Sequence, residues 1–331
     1  MTDSATGFFT PDSALEAELS AGLADIEAGI RRAIESDYSF VTEVSRHLVE
    51  AGGKRFRPLL VLLSSQFGSG IGSDVIKAGV VVELTHLATL YHDDVMDEAM
   101  LRRGAASANA RWDNSVAILS GDFLFARVSG ILAELGPEAV RIQAVTFERL
   151  CIGQIKETVG PKPGEDAVKH HLEVLADKTG SLIAASGWYG GLMSGASEAT
   201  IRTLTAFGEA IGIAFQLADD LVDITSESEQ SGKTPGTDLK EGVPTLAGLI
   251  ALQGSDPADA RLRELLSRPL PEPAEHAEAL ALLRAHSALG EARQQARDWA
   301  DKARACLHEL PENSARAALE LLCDYVVART G

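Results

Sequence analysis

Residues 86–97, with the sequence HLATLYHDDVMD, form an apolar helical run that ends in three carboxylates. On an α-helix, Asp93 and Asp97 stand one turn apart on the same face, with Asp94 beside them. Three negative charges so close together repel one another unless cations lie among them. Because hard divalent cations prefer oxygen ligands, the pattern predicts a Mg²⁺ site at the end of this helix.

A second acidic stretch, residues 216–223 with the sequence QLADDLVD, repeats this spacing far downstream. Asp219, Asp220 and Asp223 again close an apolar helix, and Gln216 lies on their face. The separation is too long for a local repeat. We therefore expect the fold to bring the two acidic helix ends face to face.

Helical periodicity runs through most of the chain. Apolar residues recur at steps of three and four from Leu15 to Ile34, which is typical of an amphipathic helix. Alternating strand patterns are nearly absent, so the sequence predicts an all-α protein. Further helices are expected at about 38–50, 56–67, 73–94, 113–135, 138–158, 166–175, 179–194, 198–224, 243–253, 257–267, 274–308 (with a break near Ser287) and 312–329.

The chain is interpreted as one domain over residues 1–331, with a polar leader at about 1–11. Two breaks, GPKPG at 160–164 and PLPEP at 269–273, are either domain boundaries or loops between packed helices. Loops are favoured because bundle connections are short and rich in such residues. The polar segment 226–241 follows the second acidic stretch and is expected to act as a lid over a site.

Charge and cysteine content limit the classes of function. The formal net charge of −18 gives a field that repels nucleic acid and anionic lipid surfaces. Cys151, Cys306 and Cys323 form no C-x-x-C pair, which indicates reduced thiols and a cytoplasmic protein. We expect neither a signal peptide nor a transmembrane segment, since no apolar run reaches about 18 uncharged residues.

Candidate anion ligands surround the first acidic stretch. His86 lies two turns before Asp93 on nearly the same stripe, which favours a donor to an anionic ligand over an ordinary core histidine. Arg102 and Arg103 follow the acids closely, so they are either solvated surface residues or ligands of a diphosphate held with metal ions.

Two further segments carry cations. The segment GGKRFRP at 52–58 places Lys54, Arg55 and Arg57 after two glycines and before a helix start, but it is not a P-loop. Asp177-Lys178-Thr179 is either a capped helix start or the source of one more phosphate ligand, and this segment alone leaves both readings open. Metal-bound diphosphate is a good leaving group, and an apolar interior protects the resulting carbocation from water.

These motifs, in this order, resemble the trans-isoprenyl diphosphate synthases of the polyprenyl synthetase family from about Leu15 to Arg329. The resemblance implies a helical bundle around a deep central cavity, usually as a homodimer. It also implies condensation of isopentenyl diphosphate with an allylic diphosphate primer by ionisation, condensation and elimination of a proton. The matching stretches are GGKRFRP at 52–58, DDVMD at 93–97, LRRG at 101–104, KT at 178–179, FQLADDLVD at 215–223 and GK at 232–233.

The resemblance also implies residue roles. Asp93 and Asp97 ligate two Mg²⁺ ions and Asp219 a third, with Asp94, Asp220 and Asp223 supporting them and Asp223 close to the metal. The implied ligands of isopentenyl diphosphate are Lys54, Arg57, His86 and Arg103. Those implied for the allylic diphosphate and its metal shell are Arg102, Lys178, Gln216 and Lys233, with Thr179 near the reacting carbons.

The chain departs from the family pattern at Val243, where many short-chain members have a second lid lysine. Val243 cannot bind phosphate, so this contact is absent or falls to Lys240. We interpret the change as a subfamily difference.

The positions beneath the first acidic stretch bear on product length. Short-chain relatives place a Phe or Tyr there, whereas this chain has Thr85, Ala88 and Thr89. The growing tail is therefore not blocked, and we expect a medium- or long-chain product beyond C20, at about C30 to C50. The pair Trp188-Tyr189 forms either a lower floor or an ordinary helix interface.

Other functions fit less well. A terpene cyclase would carry a different second metal motif and would not need residues 52–58. A non-catalytic partner subunit of a heteromeric synthase should have lost some of the acids or arginines, and a metal phosphohydrolase needs further His and Asp ligands. A geranylgeranyl or farnesyl diphosphate synthase of the same family remains the nearest alternative.

Overall fold

The computed structural model describes residues 12–226 and 235–329, and this part of the chain is almost entirely helical, as predicted. The first helices are α1 (Ser13–Ala33), α2 (Ser39–Glu50), α3 (Phe56–Ser65), α4 (Ser73–Met96), α5 (Ala108–Arg111), α6 (Asn114–Leu135), α7 (Pro137–Val159) and α8 (Ala167–Leu175). A π-turn (Ala176–Gly180) joins α8 to α9 (Ser181–Met193), which is followed by α10 (Glu198–Thr225), α11 (Thr237–Glu241), α12 (Leu246–Gln253), a 3₁₀ turn (Pro257–Asp259), α13 (Ala260–Leu266), α14 (Pro273–Ala285), α15 (Ser287–Leu307) and α16 (Ser314–Ala328).

Local signals explain many of the helix ends. The Asp12 carboxylate accepts from the backbone N–H of Ala14 at 2.9 Å and begins α1, and Asp113 and Asp166 cap α6 and α8 in the same way. The predicted break near Ser287 is confirmed, because the backbone at His286 is extended between α14 and α15.

The described residues divide into two compact units, each assembled from three stretches of sequence. Unit 1 comprises the described parts of Met1–Phe147 together with Leu182–Thr205 and Leu307–Leu319, and unit 2 comprises Glu148–Ser181, Ala206–Cys306 and the described part of Glu320–Gly331. The interpretation as one domain stays a prediction.

The centre of unit 1 is α4, which packs against α1, α3 and α6. Its residues are buried on most sides, including Val81, Leu84 and Leu87, which is the pattern of a central helix. Tyr91 is fully buried, and its hydroxyl donates to the carbonyl of Val44 at 2.5 Å. This bond ties α2 to the last turns of α4, close to the acidic stretch.

The core of unit 2 forms around the second half of α10. Ile213, Leu217, Leu221 and Ile224 occur at helical spacing and pack with buried residues of α12, α14 and α15. The same helix carries the second acidic stretch at its end. Burial of one face of α10 therefore fixes the orientation of that stretch relative to the core of unit 2.

One described helix, α6, is long and apolar enough to cross a membrane when judged by length and composition alone. A single helix of this kind is weak evidence for a membrane span. In unit 1, α6 packs along α4, and a Cβ added at Gly121 would lie 3.1 Å from the carbonyl oxygen of Ala88. This packing accounts for the apolar residues on the side of α6 that faces α4.

Candidate active site

In unit 1 the first acidic stretch lies at the end of α4, as predicted. Asp94 is fully buried, and the Arg102 Nε atom donates to its Oδ1 atom at 2.5 Å. Arg102 also reaches Asp97, with 3.9 Å between Nη2 and Oδ2. The Oδ2 atom of Asp94 has no hydrogen-bond partner among the described residues, and burial raises the pKa of this carboxyl. The helix end therefore holds more carboxylate oxygens than its arginine satisfies.

A two-residue hairpin turn positions the arginines. Strands β1 (Leu101–Arg102) and β2 (Ala105–Ala106) pair antiparallel around Arg103 and Gly104, whose φ angles are 53° and 80°. Two positive φ angles are typical of a type I′ turn, which suits the twist of a hairpin. The turn directs the Arg103 guanidinium to the carbonyls of Leu48, at 3.2 Å, and of Gly52.

The diglycine segment meets that guanidinium at close range. A Cβ at Gly53 would lie 3.1 Å from three guanidinium atoms of Arg103, and Gly53 has a φ of 148° that side chains rarely adopt. Arg55 instead turns away, and its guanidinium donates to Glu27 and Glu83 at 2.9 Å each. Arg55 is therefore a structural anchor of this loop, while Lys54 is exposed beside it.

A positive cluster lies one layer further in. Burial lowers the pKa of Arg57, as does the nearby charge of Arg103, while Glu83 opposes the shift. The pKa of His86 is held well below its ordinary value by burial first, and then by Arg57 and Arg103. Within the described residues, the Nε atom of Arg57 is buried without a hydrogen-bond partner. This cluster is short of negative charge, which is the condition for capture of an anion.

In unit 2 the second acidic stretch carries an excess of negative charge, in contrast to the positive cluster of unit 1. Burial raises the pKa of Asp220 to about 8, and the carboxylates of Asp238, Asp219 and Asp223 add to the effect. Gln216 Nε2 donates to Asp220 Oδ1 at 3.0 Å and partly opposes it. Such a concentration of carboxylates favours a cation.

Two aspartates of this stretch already have partners within unit 2. Asp223 accepts from the backbone N–H groups of Thr237 and Asp238, at 3.2 Å each, and so holds the start of α11. Asp219 pairs with Arg329, with 2.5 Å between Oδ1 and Nη2. No local sequence pattern indicates this pair, because Arg329 lies more than one hundred residues from the acidic stretch.

Lys178 and Thr179 lie in the π-turn, so the chain continues helically through them and neither caps a helix start. The Thr179 hydroxyl donates to Gln216 Oε1 at 3.2 Å, which joins the π-turn to the second acidic stretch. Lys178 pairs with Glu157 of α7. Glu157 was not predicted as a site residue, because only the fold brings it to Lys178.

The described residues contain no group of three or more His, Cys, Asp or Glu side chains arranged to hold a metal ion. This finding is compatible with Mg²⁺, which is usually held by one or two carboxylates together with substrate phosphates and water rather than by an all-protein cage. The Oδ2 atom of Asp94, and the carboxylates gathered around Asp220, fit such a cation in each unit.

Some predicted positions are left without a test. Lys233 lies outside the described residues, as does half of the expected lid. Val243 is 40% exposed after α11, and Lys240 lies on that helix. That the two acidic stretches share one cavity also stays a prediction.

The residues chosen for product length lie on α4. Thr85 and Ala88 are fully buried, and Thr85 accepts from Gln143 Nε2 at 3.0 Å. Thr89 is half-buried, and its hydroxyl donates to the carbonyl of His86. Tyr189 is fully buried, and its hydroxyl donates to a carbonyl of α7 at 2.9 Å.

Two acidic helix ends with the same spacing, an arginine and histidine cluster, and an all-α fold together define a trans-prenyltransferase. The chain belongs to the polyprenyl synthetase family, whose model matches residues 38–283. It is 49% identical to the nonaprenyl diphosphate synthase of Mycobacterium tuberculosis over 321 residues, which is 97% of this chain and 96% of that relative.

Solved structures agree with this assignment. A geranylgeranyl pyrophosphate synthase from Corynebacterium glutamicum, complexed with calcium and isoprenyl diphosphate, superposes with a TM-score of 0.88 and 43% identity, covering 98% of this chain and 99% of that one. A decaprenyl diphosphate synthase from Rhodobacter capsulatus gives a TM-score of 0.87 and 34% identity, covering 97% of this chain and 100% of that one. The predicted fold class is confirmed.

Proposed function

We propose that this protein is a trans-polyprenyl diphosphate synthase. It joins isopentenyl diphosphate to an allylic diphosphate primer and makes a product longer than C20. The proposal rests on one observation above all, the charge imbalance in unit 1. There, the Oδ2 atom of the buried Asp94 has no hydrogen-bond partner among the described residues, while Arg57 and Arg103 place positive charge beside His86.

The acidic stretches are assigned to Mg²⁺. Asp93 and Asp97 hold two ions and Asp219, with Asp223 near it, a third, while Asp94 and Asp220 support them. The ions supply charge stabilisation for the departing diphosphate. The calcium bound in the C. glutamicum relative supports a divalent cation.

The chain's own cations bind and orient the two substrates. Lys54, Arg57, His86 and Arg103 hold the diphosphate of isopentenyl diphosphate. Because burial keeps His86 neutral, its ring binds this anion as a hydrogen-bond donor. The allylic diphosphate is assigned to Arg102, Lys178, Gln216 and Lys233, with Thr179 close to the reacting carbons.

The reaction then follows from this arrangement. The allylic C–O bond breaks, the double bond of isopentenyl diphosphate attacks the allylic cation, and a proton is lost to the departed diphosphate. An apolar interior would protect the cation from water, and arginines already held in place would cost no reorganisation as negative charge develops.

Product length is assigned to the small residues of α4. Thr85, Ala88 and Thr89 leave no aromatic ring beneath the first acidic stretch. The similarity to the M. tuberculosis nonaprenyl diphosphate synthase supports a long product. A geranylgeranyl or farnesyl diphosphate synthase is the alternative, since the C. glutamicum relative carries the first of these names.

We further propose a homodimer in the cytoplasm. In unit 1, α6 exposes Ile118 and Leu119, and the first half of α7 exposes Val140 and Val145. Exposed apolar side chains of this size on α6 and α7 favour contact with a second copy. The three cysteines form no disulfide bond, as expected in a reducing compartment.

The test uses purified protein, Mg²⁺, labelled isopentenyl diphosphate and allylic primers of increasing length. We expect products beyond C20, and Asp93→Ala should abolish turnover while helix content by circular dichroism stays unchanged. A product that stops at C15 or C20 would favour the alternative chain length. Absence of turnover without a partner protein would favour a non-catalytic subunit.

A further inference from the structure

The π-turn in unit 2 is the most unusual piece of backbone near the proposed site. The chain is helical from Ala167 to Met193, yet Ala176–Gly180 adopts the wider turn in which bonds run from residue i to i+5. Such turns are rare and occur often at functional sites, because the extra residue redirects the side chains that follow. Here the turn carries Lys178 and Thr179.

One stripe of α7 holds the acidic residue of this turn. Arg149 Nε donates to Asp177 Oδ1 at 2.9 Å, and Lys156 Nζ donates to Asp177 Oδ2 at 3.0 Å. Arg149 Nη2 also donates to the carbonyl of Ala176 at 3.2 Å, and to Glu209 of α10 at 2.9 Å. Both carboxylate oxygens and one backbone carbonyl of the π-turn are therefore bound.

On the same stripe, Gly153 lets the backbone of the π-turn come close. A Cβ at Gly153 would lie 2.6 Å from the backbone nitrogen of Lys178 and 3.0 Å from the carbonyl carbon of Asp177. Backbone atoms at these distances cannot move aside as the end of a flexible side chain can. Any larger residue at position 153 must push the turn away from α7.

The π-turn also determines two contacts of the proposed site. Lys178 pairs with Glu157, one turn beyond Gly153 on α7. Thr179 donates to Gln216, which donates to the buried Asp220. A displaced turn would alter both the place of a phosphate ligand and the orientation of the second acidic stretch.

We propose that Gly153 and Asp177, the latter held by Arg149 and Lys156, are positioning residues that set Lys178 and Thr179 for the allylic diphosphate. The inference rests on the proposed function and names the part of unit 2 that prepares the allylic substrate. The ion pairs of Asp177 would, in a purely structural role, contribute only to stability. A positioning role predicts a change in the KM for the allylic primer and in kcat, whereas a purely structural role predicts a loss of stability that affects both substrates equally.

The experiment compares Gly153→Ala and Asp177→Asn with wild type. We expect the KM for the allylic primer to rise about tenfold or more and kcat to fall roughly 10²-fold, because displacement by about 1 Å can cost that much. The KM for isopentenyl diphosphate should stay within about twofold, since its proposed ligands Arg57, His86 and Arg103 belong neither to the π-turn nor to α7. Calorimetric binding of an unreactive allylic thiodiphosphate should weaken in parallel.

Two further variants complete the design. Gly290→Ala on α15 is the matched control, because a Cβ there meets nothing within 4 Å, and its kinetic constants should equal those of wild type. Asp177→Glu keeps the charge and should recover part of the lost allylic binding. Wild-type kinetics in Gly153→Ala and Asp177→Asn, or equal losses for both substrates that track a fall in Tm, would overturn the inference. An inactive wild type would instead contradict the proposed function.

Discussion

Arg329 follows the last helix and places a guanidinium on a proposed metal ligand. Its Nη2 atom lies 2.5 Å from Asp219 Oδ1, its guanidinium stacks 5.1 Å from the Phe215 ring centroid, and its Nη1 atom is buried without a described hydrogen-bond partner. A metal ion at Asp219 must compete with this cation. If Asp219 is a metal ligand as proposed, the arginine lowers the affinity of the substrate-free protein for the metal.

We expect Arg329→Gln to bind Mn²⁺, used as a probe for Mg²⁺, about fivefold more tightly, which corresponds to ~1 kcal/mol for a partly exposed ion pair. Calorimetry without substrate measures this change. Arg304→Gln is the matched control, because Arg304 forms a 2.5 Å pair with Asp324 away from the acidic stretch. Weaker Mn²⁺ binding by Arg329→Gln would show that the arginine assists the metal.

A buried histidine gives a prediction about pH. Burial lowers the pKa of His171 to about 4, with His170 adding to the effect. The unfolded chain takes up this proton near pH 6.5, while the folded protein does not. Protonation of His171 therefore leaves the free energy of unfolding unchanged above pH 6.5. As the pH falls towards 4, it lowers this free energy by about 3 kcal/mol in total.

Urea unfolding of wild type and His171→Gln between pH 7 and 4.5 checks this expectation. The wild type should lose stability more steeply than the variant as the pH falls. His308→Gln replaces an exposed histidine and should follow the wild-type curve. Parallel curves for wild type and His171→Gln would mean that His171 accepts a proton in the folded state.

At the scale of elements, α4 combines the proposed metal ligands near its end with the residues proposed to set product length. Thr89 is half-buried, so a larger side chain there is tolerated better than at the fully buried Ala88. Thr89→Phe should shorten the main product towards C20 or below, because the ring stands one turn beneath Asp93. Chromatography of dephosphorylated products measures the length, and Thr89→Ser should leave it unchanged. A full-length product from Thr89→Phe would remove α4 from the control of chain length.

The helices that were predicted well from the sequence are those in which apolar residues recur at helical spacing over many residues. The helices ending in Asp97 and at Thr225 follow this rule, and their carboxylates could be read from spacing alone. The π-turn could not be predicted, because Arg149 and Gly153 stabilise it from another helix. The role of Arg55 was equally hidden, since only the fold brings Glu27 and Glu83 to its guanidinium.

At the scale of the whole molecule, two properties act on self-association in opposite directions. The formal charge of −18 makes copies of the chain repel one another. In unit 1, exposed apolar residues on α6 favour contact, with Leu119 65% exposed. Burial of such a side chain contributes about 1.5–3 kcal/mol per copy, whereas the repulsion between net charges is screened by salt.

We therefore expect a dimer of twice the chain mass of 35.0 kDa that dissociates more readily at low ionic strength. Leu119→Glu should weaken the dimer, because it adds a charge to an apolar contact in each copy. Sedimentation velocity at several salt concentrations measures both effects. Leu321→Glu, which replaces an exposed leucine of α16, should remain dimeric. A wild-type monomer at micromolar concentration and moderate salt would mean that the apolar face of α6 serves another partner.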